Sequence, residues 1–504
     1  MLALVVYLAT LAPGLTFEHH GTDSGDLITA ARTLGVPHPT GYPTYTLLAW
    51  LFSNLPVGII AYRVNLLSAL CAAGAVGLLC RTTQDLLPDD RYNLPISAAA
   101  ALTFAFSLLL WSQAVISEVY ALLTFFAALL LWSLVRWREG SGDWALWLAA
   151  FAVGLGLGNH LTLAFAVPAS LFLIWGRIRA EWKRFLRPQI ILPTLGFFLL
   201  GLAVYAYLPL AASRYPPVNW GNPQTWDRFM WVVTAEQYQG FAFGLEPEHI
   251  PGRVTDWAQL IGTQFGWWGM AFALLGGWSW WQRDRRFAIF CLVWLLLAGV
   301  YAFFYNTFDS QVYLLPPLLL LAIWWGEGAR YLLNLTQRLR TGWQNLALTI
   351  IIALPFLSLA LNWQDADLSD DLSVHTYIHQ VLEGVEAEGL VIVRGDGPTF
   401  ALWYAVYAEE QRPDLAVVSG PLLAYIWYRD LVRHLYPDLR LNEPHGTDVT
   451  TDDLVRDLIT SNFIRRPIYA TDPAAPWEEW FDFSQEGENP VHRVQIKTVW
   501  QSGN

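Results

Sequence analysis

Long apolar runs alternate with short polar breaks over the first 361 residues. The runs lie at approximately 2–17, 59–80, 94–112, 117–136, 144–158, 160–176, 190–210, 264–281, 287–305, 310–326 and 345–361. Each is close to the length of helix that crosses about 30 Å of hydrocarbon. Two breaks are long. Residues 18–58 begin polar and become amphipathic, and residues 211–263 are rich in Trp, Pro and Gly. From Asn362 onward no such run remains. Amphipathic helical patterns at 374–386, 398–411, 420–436 and 451–462 alternate there with short strand-like runs, LVIV, LAVV and PIYA. That alternation predicts an α/β unit. The expected fold class is a polytopic α-helical membrane protein of about eleven transmembrane helices (1–361), followed by a small C-terminal α/β soluble domain (362–504). The chain shows no internal repeat and no low-complexity tract.

Composition agrees with this division. The chain is 55% apolar and only 14% charged. Of its net charge of −12, the tail contributes 24 acidic against 10 basic residues, whereas residues 1–361 are nearly balanced, 18 against 20. An acidic soluble unit argues against a nucleic-acid partner. Cys71, Cys80 and Cys291 all lie in apolar runs, so the tail has neither a disulfide framework nor zinc-ligand spacing. The opening MLALVVYLATLAPGLTF has no basic flank and no small-residue cleavage pattern, which predicts a retained first helix.

Orientation follows from Lys and Arg. With a cytoplasmic N-terminus, fifteen basic residues fall in inner loops, among them Arg81, Arg136, Arg138, Arg177, Arg283, Arg338 and Arg340. Five fall outside before the tail: Arg32, Arg63, Arg214, Arg228 and Arg253. Eleven spans then put the C-terminal domain outside the cytoplasm, in a membrane of bacterial type.

Candidate chemistry gathers at the predicted outer boundary. Glu18, Asp23 and Asp26 follow the first run, and Val36-Pro37-His38-Pro39-Thr40-Gly41-Tyr42-Pro43 makes a proline-stiffened turn that would hold them. Asp23 and Asp26 are three residues apart and share a face if helical. Such a pair can supply a general base or hold a divalent ion, and a solvated loop is the plainer alternative. Arg63, Asn65, Glu118, Tyr120, Asn159, His160, Arg214, Asp309 and Tyr313 fall at span ends at the same depth. Singly each reads as an interfacial or satisfied side chain, but together they suit a site at the lipid surface. Gly395-Asp396-Gly397 lacks dinucleotide-binding spacing and reads first as a strand–turn–helix joint with Asp396 as N-cap, help in binding an acceptor being the lesser alternative.

These residues carry a resemblance. Thr22-Asp23-Ser24-Gly25-Asp26-Leu27-Ile28 with Leu34-Gly35-Val36-Pro37-His38-Pro39-Thr40-Gly41-Tyr42-Pro43 resembles the signature of a membrane family long catalogued as of unknown function, whose eukaryotic member is a protein O-mannosyltransferase. Ser117-Glu118-Val119-Tyr120, Gly158-Asn159-His160, Asn219-Trp220-Gly221-Asn222-Pro223, Asp309 with Leu315-Pro316, and the tail segment Gly395-Asp396-Gly397 with Leu402-Trp403-Tyr404 and Arg412-Pro413-Asp414 fit as well. The family usually has Glu at the position of Asp26, and often Pro at that of Thr40. The resemblance implies a GT-C type fold and transfer of a sugar, mannose or another hexose, from a polyprenyl-phosphate carrier to a hydroxyl of a protein or glycan. It also implies Asp23 as catalytic base, with Asp26 beside it. His38, Tyr42, Arg63, Asn65, Glu118, Tyr120, His160, Arg214 and Asp309 are the expected substrate-binding residues, Arg63 and Arg214 being candidates for the leaving phosphate. No metal or other cofactor is required, because that leaving group carries one phosphate; a divalent cation stays open. A transporter or flippase of lipid-linked sugars is the competing reading, but it would more usually show repeats and broken helices in matching halves. A membrane scaffold would explain the tail and not the stiff acidic loop.

Overall fold

The computed structural model describes residues 1–336, 341–442, 449–473, 475–485, 487 and 489–497. Each of the eleven apolar runs holds a helix. Seven helices among the described residues are long and apolar enough to cross a membrane: Ile60–Leu86, Val119–Arg138, Leu161–Ala180, Pro188–Ala212, Arg285–Phe304, Ser310–Thr336 and Gly342–Ala366. An eighth span arises if Asn93–Ala105 and Leu108–Ala114, bent by 69°, count as one. The other three runs fall short of the expected spans. The first forms only Leu2–Ala9, because Pro13-Gly14 cannot continue a helix. The fifth gives the 14-residue Trp144–Leu157, and the eighth gives Gly266–Arg283, whose apolar residues are diluted by glycines, Ser279 and Gln282. Pro188–Ala212 and Gly342–Ala366 bury little of their apolar surface inside the protein, as helices facing lipid do.

Helix direction sorts the loops onto two ends. Val119–Arg138 runs from Tyr120 to Arg136 and Arg138, and Arg285–Phe304 runs back from Arg285 and Arg286 to Tyr301. The arginine-rich end is laced by ion pairs: Arg138–Asp284, Arg81–Asp85 at 2.9 Å, Arg330–Asp90 at 2.9 Å and Arg184–Asp143 at 3.0 Å. Arg338 and Arg340 lie outside the described residues. The opposite end carries segments 18–58 and 211–263 and the tail.

In the tail, strands β1 (Leu390–Val393), β2 (Ala416–Ser419), β3 (Ile468–Ala470), β4 (Phe481–Gln485) and β5 (His492–Ile496) form one mixed sheet in the order β2-β1-β3-β5-β4. The β2-β1-β3 part is parallel and wholly buried, which is why those strands read as unbroken apolar runs. Helices Ser373–Gly384, Asp396–Trp403, Ile426–Leu435 and Thr451–Asn462 connect and flank the strands. The hairpin of β4 and β5 was not expected, although Phe481 and Phe483 alternate with Asp482 and Ser484.

Candidate active site

The acidic loop is built by a chain of local constraints. A tight turn, Glu18–Asp23, leads into helix Ser24–Thr33, and Asp23 occupies the position that caps it. A carboxylate there ordinarily accepts a hydrogen bond from the helix's first free N–H groups. Asp23 makes no such bond. The helix stops at left-handed Leu34, and Val36 then pairs with segment 211–263: Val36 N donates to Val218 O at 2.9 Å and Trp220 N donates to Val36 O at 3.0 Å. Past Pro37 the chain folds back over the helix, which brings His38 against Asp26.

Asp26 is fully buried and its carboxylate is enclosed by donors. Oδ2 accepts from the His38 backbone N–H at 2.9 Å and meets His38 Nδ1 at 2.8 Å. Oδ1 accepts from Trp220 Nε1 at 2.9 Å. The expected catalytic partnership of Asp23 and Asp26 is therefore corrected: Asp26 is sealed from any substrate and is a positioning residue. It fixes the His38 ring, whose other nitrogen, Nε2, lies 3.6 Å from Asp23 Oδ2. Asp23 keeps 43% of its side-chain surface open to a cavity. Burial pushes its carboxyl up to about 6, a rise that His38 opposes and Asp26, Asp309 and Asp396 reinforce. Burial alone would lower the His38 pKa, but Asp23 and the hydrogen bond to Asp26 outweigh it and hold the imidazole up, at about 9. At neutral pH His38 is an imidazolium beside the Asp23 carboxylate.

The cavity in front of Asp23 has a volume of about 330 Å³. Segment 18–58 contributes Asp23, His38 and Tyr42, segment 211–263 contributes Thr234 and Tyr238, and the tail contributes Asp396. The membrane helices supply an aromatic wall. His160 and Tyr42 stack with an interplanar angle of 18°, and Tyr120, Tyr301, Tyr305 and Tyr313 continue the array. His160 accepts from Thr162 N at 3.3 Å, and burial lowers its pKa to about 4, so the ring is neutral. Asp309 borders the same space.

Thus His38, Tyr42, Tyr120, His160 and Asp309 come together with Asp23, and four expected residues do not. Arg63 donates to the carbonyls of Ser53, Val57 and Gly58 and pins the turn before Ile60. Arg214 is exposed and absent from the cavity lining. Asn65 donates to Ala12 O and Gly14 O at 2.9 and 3.0 Å, tying the N-terminal segment to the bundle. Glu118 caps helix Val119–Arg138 through Val119 N at 3.4 Å, and its Oε1 has no hydrogen-bond partner among the described residues. Expectation had missed Tyr238, Tyr301, Tyr305 and Trp220. The signal for two of them was present, since Tyr301 and Tyr305 share a helix face at spacing four. Asp396 sits one residue inside its helix, Gly395 being the N-cap, and faces the cavity. Among the described residues, the one close group of three metal-ligand side chains, Glu246, Glu248 and His249, is exposed and does not line the cavity.

Comparison with known proteins follows this geometry. Residues 23–183 match the Protein O-mannosyl-transferase TMEM260 N-terminal domain, and residues 374–439 match the TMEM260-associated domain 2. Protein O-mannosyl-transferase TMEM260 of Mus musculus is 29% identical over 459 residues, 84% of this chain and 64% of that protein. The tmem260 protein of Dictyostelium discoideum is 24% identical, over 92% of this chain and 62% of that protein. The crystal structure of ArnT from Cupriavidus metallidurans bound to undecaprenyl phosphate superposes with a TM-score of 0.59 at 12% identity, over 99% of this chain and 97% of that one. Its apo state gives 0.61 at 10% identity, over 100% and 98%. The chain is thus similar in sequence to protein O-mannosyl-transferase TMEM260 proteins and shares the fold of ArnT. It is a multi-pass membrane protein with an ArnT-like fold. It spans somewhat less than two thirds of the length of the curated relatives it matches. Both matched domains touch the cavity, the first through Asp23 and His38 and the second through Asp396. Nothing in the comparisons favours a transporter.

Proposed function

We propose that this protein is a glycosyltransferase that moves a hexose, mannose being the first candidate, from a polyprenyl-phosphate carrier to a hydroxyl on a protein acceptor, and that it does so on the non-cytoplasmic face of the membrane. The observation that carries the reading is Asp23, a carboxylate at a helix-capping position that caps nothing and faces a cavity beside an oriented imidazolium. An alcohol is far too weak an acid to ionise at neutral pH, so its attack needs a positioned base. In this reading Asp23 takes the acceptor proton as the oxygen attacks the anomeric carbon. The bond from that carbon to the phosphate oxygen breaks, and the polyprenyl phosphate leaves with the electron pair. A single displacement of this kind inverts the anomeric centre. His38 touches neither bond; it keeps Asp23 ionised, and Asp26 keeps His38 in place. The aromatic wall suits the apolar face of a pyranose, and Asp309 suits its hydroxyls. Arg63 and Arg214 are not available to the leaving phosphate, whose hydrogen-bond donors in this reading are the cavity phenols and His20.

Two features support the outer-face assignment: the loops that build the cavity sit at the end of the bundle opposite the arginines, and the tail sits with them. The test is direct. Purified full-length protein in lipid is given polyprenyl-phosphate mannose and a serine- and threonine-containing peptide, and polyprenyl phosphate release and peptide mannosylation are followed together. Equal release of both products supports the reading. No release from mannose or any other hexose carrier would overturn it.

A further inference from the structure

Among the described residues, Asp396 is the one part of the cavity wall that comes from the tail, and the tail is locked in place. Gly25 of the acidic helix abuts Phe400 so closely that a Cβ there would lie 2.4 Å from Phe400 O. Trp220, which holds Asp26, also packs its ring against Phe400 and Trp427. Tyr404 OH accepts from Ala61 N at 3.1 Å, and Glu409 Oε1 accepts from Ile60 N at 3.3 Å, so the tail caps the first long membrane helix. Phe400 lies on the helix of Asp396, and Tyr404 and Glu409 follow directly after that helix. Gly395, at φ 88°, makes the turn that points the helix start toward the cavity.

Within this fixed frame the Asp396 side chain is exposed on the cavity side. It sits in the first turn of a helix and caps nothing. It forms no hydrogen bond or salt bridge among the described residues. Burial raises its pKa, and the field of Asp26 adds to the rise although His38 opposes it. An exposed carboxylate in this wall is free to meet a ligand that enters the cavity. No Lys or Arg lines the cavity among the described residues, while Asp23, Asp309 and Asp396 do. A carboxylate repels a sugar phosphate and attracts N–H donors and cations. The donor's phosphate is therefore not what Asp396 holds.

We propose that Asp396 is the acceptor-side specificity residue of this cavity: it receives N–H or cationic donors of an acceptor polypeptide and turns acidic segments away. The proposal rests on reading the cavity as the transfer site. It makes the tail a wall of that site, with the acceptor entering between helix Asp396–Trp403 and the acidic loop.

The experiment uses the full-length protein without any sugar donor, so no turnover is involved. Two synthetic peptides share a central Ser-Thr pair and differ only in flanking Lys or Glu residues, and their affinities are measured by fluorescence anisotropy. The Lys-flanked peptide should bind about tenfold or more tightly, as expected for charge-assisted hydrogen bonds. Asp396→Asn, nearly isosteric, should narrow the difference between the two affinities, the remainder coming from Asp23 and Asp309. Asp396→Lys should invert the preference, which a purely structural residue would not do. Equal affinities in the parent protein, no binding of either peptide, or an unchanged preference in Asp396→Asn would each overturn the proposal. Failure of the sugar-transfer reading shows elsewhere, as absence of polyprenyl phosphate release from a lipid-linked sugar.

Discussion

Replacing Asp23 by Asn removes the base and little else. The side chain is 43% exposed to the cavity, and its single charged contact is His38 Nε2 at 3.6 Å. His38 keeps its bond to Asp26, so the change in stability should stay within about 1 kcal/mol. Loss of a general base costs about 100- to 10,000-fold in rate. The wild-type pH profile makes the sharper test. Asp23 must be ionised, so kcat/KM should rise as pH passes through about 6. His38 must be protonated to hold that charge, so the rate should fall again as pH passes through about 9. The two groups interact, and the flanks belong to the pair rather than to either residue. In Asp23→Asn the acid flank should vanish with the activity. The assay is transfer of labelled mannose from polyprenyl-phosphate mannose to peptide, with thermal unfolding as the control for folding. A folded Asp23→Asn protein within tenfold of wild-type turnover would refute the base assignment, as would a wild-type profile flat between pH 5 and 7.

Three further outcomes follow. The His38 pKa is raised on folding, so its contribution to stability is complete below about 6.5 and is lost as pH rises through about 9; thermal stability should fall over that window in the wild type and not in His38→Asn. Gly25→Ala sets a methyl 2.4 Å from Phe400 O, so helix and tail must separate; Tm should drop, and a protease should cut between residues 362 and 390 sooner than in the wild type. A reporter active only in the cytoplasm, fused after Asn504, should stay silent; a strong signal would reverse the assignment of faces.

Much of this architecture was legible because it rests on short-range rules. Apolar run length located the seven or eight candidate spans among the described residues while counting three runs too many, and in the tail alternation located four helices and three of five strands. What failed was long-range. The spacing of Asp23 and Asp26 suggests two acids on one helix face, yet Asp23 ends the preceding turn while Asp26 lies inside the helix. Trp220, 194 residues away, is what seals Asp26. Arg63 and Arg214 stood at the right depth by span position. The sequence cannot show that backbone carbonyls take the donors of Arg63, nor that Arg214 ends beyond the cavity rim. For Asp396 only the capping part of the expectation fails, since Gly395 is the N-cap. A strand followed by Gly-Asp-Gly reads as a capped joint, and only the docking of Phe400 on Gly25 turns that helix start toward the cavity. Helix breaks were partly visible: Pro13-Gly14 sits in the first run, and its effect outweighed the apolar composition around it.

The residue type at position 26 gives one more test of the line from Asp26 to Asp23. The family this chain resembles usually places Glu there, and here the shorter acid meets three donors at 2.8 to 2.9 Å in a site with no exposed surface. One added methylene has no solvent side to move toward. Asp26→Glu must either shift His38 and Trp220 outward or leave one of their donors without its acceptor. Overpacking of this kind costs about 1–3 kcal/mol. The functional effect is separable from the loss of stability, because a displaced His38 no longer holds Nε2 beside Asp23. With less cationic support the Asp23 carboxyl should ionise less readily, so the acid flank of the rate profile should move above about 6 in this variant. Mannose transfer measured from pH 5 to 8, at a temperature where the variant is fully folded, reads that shift. An unchanged acid flank with unchanged turnover would mean that Asp26 serves only to hold the loop together and that Asp23 owes nothing to His38.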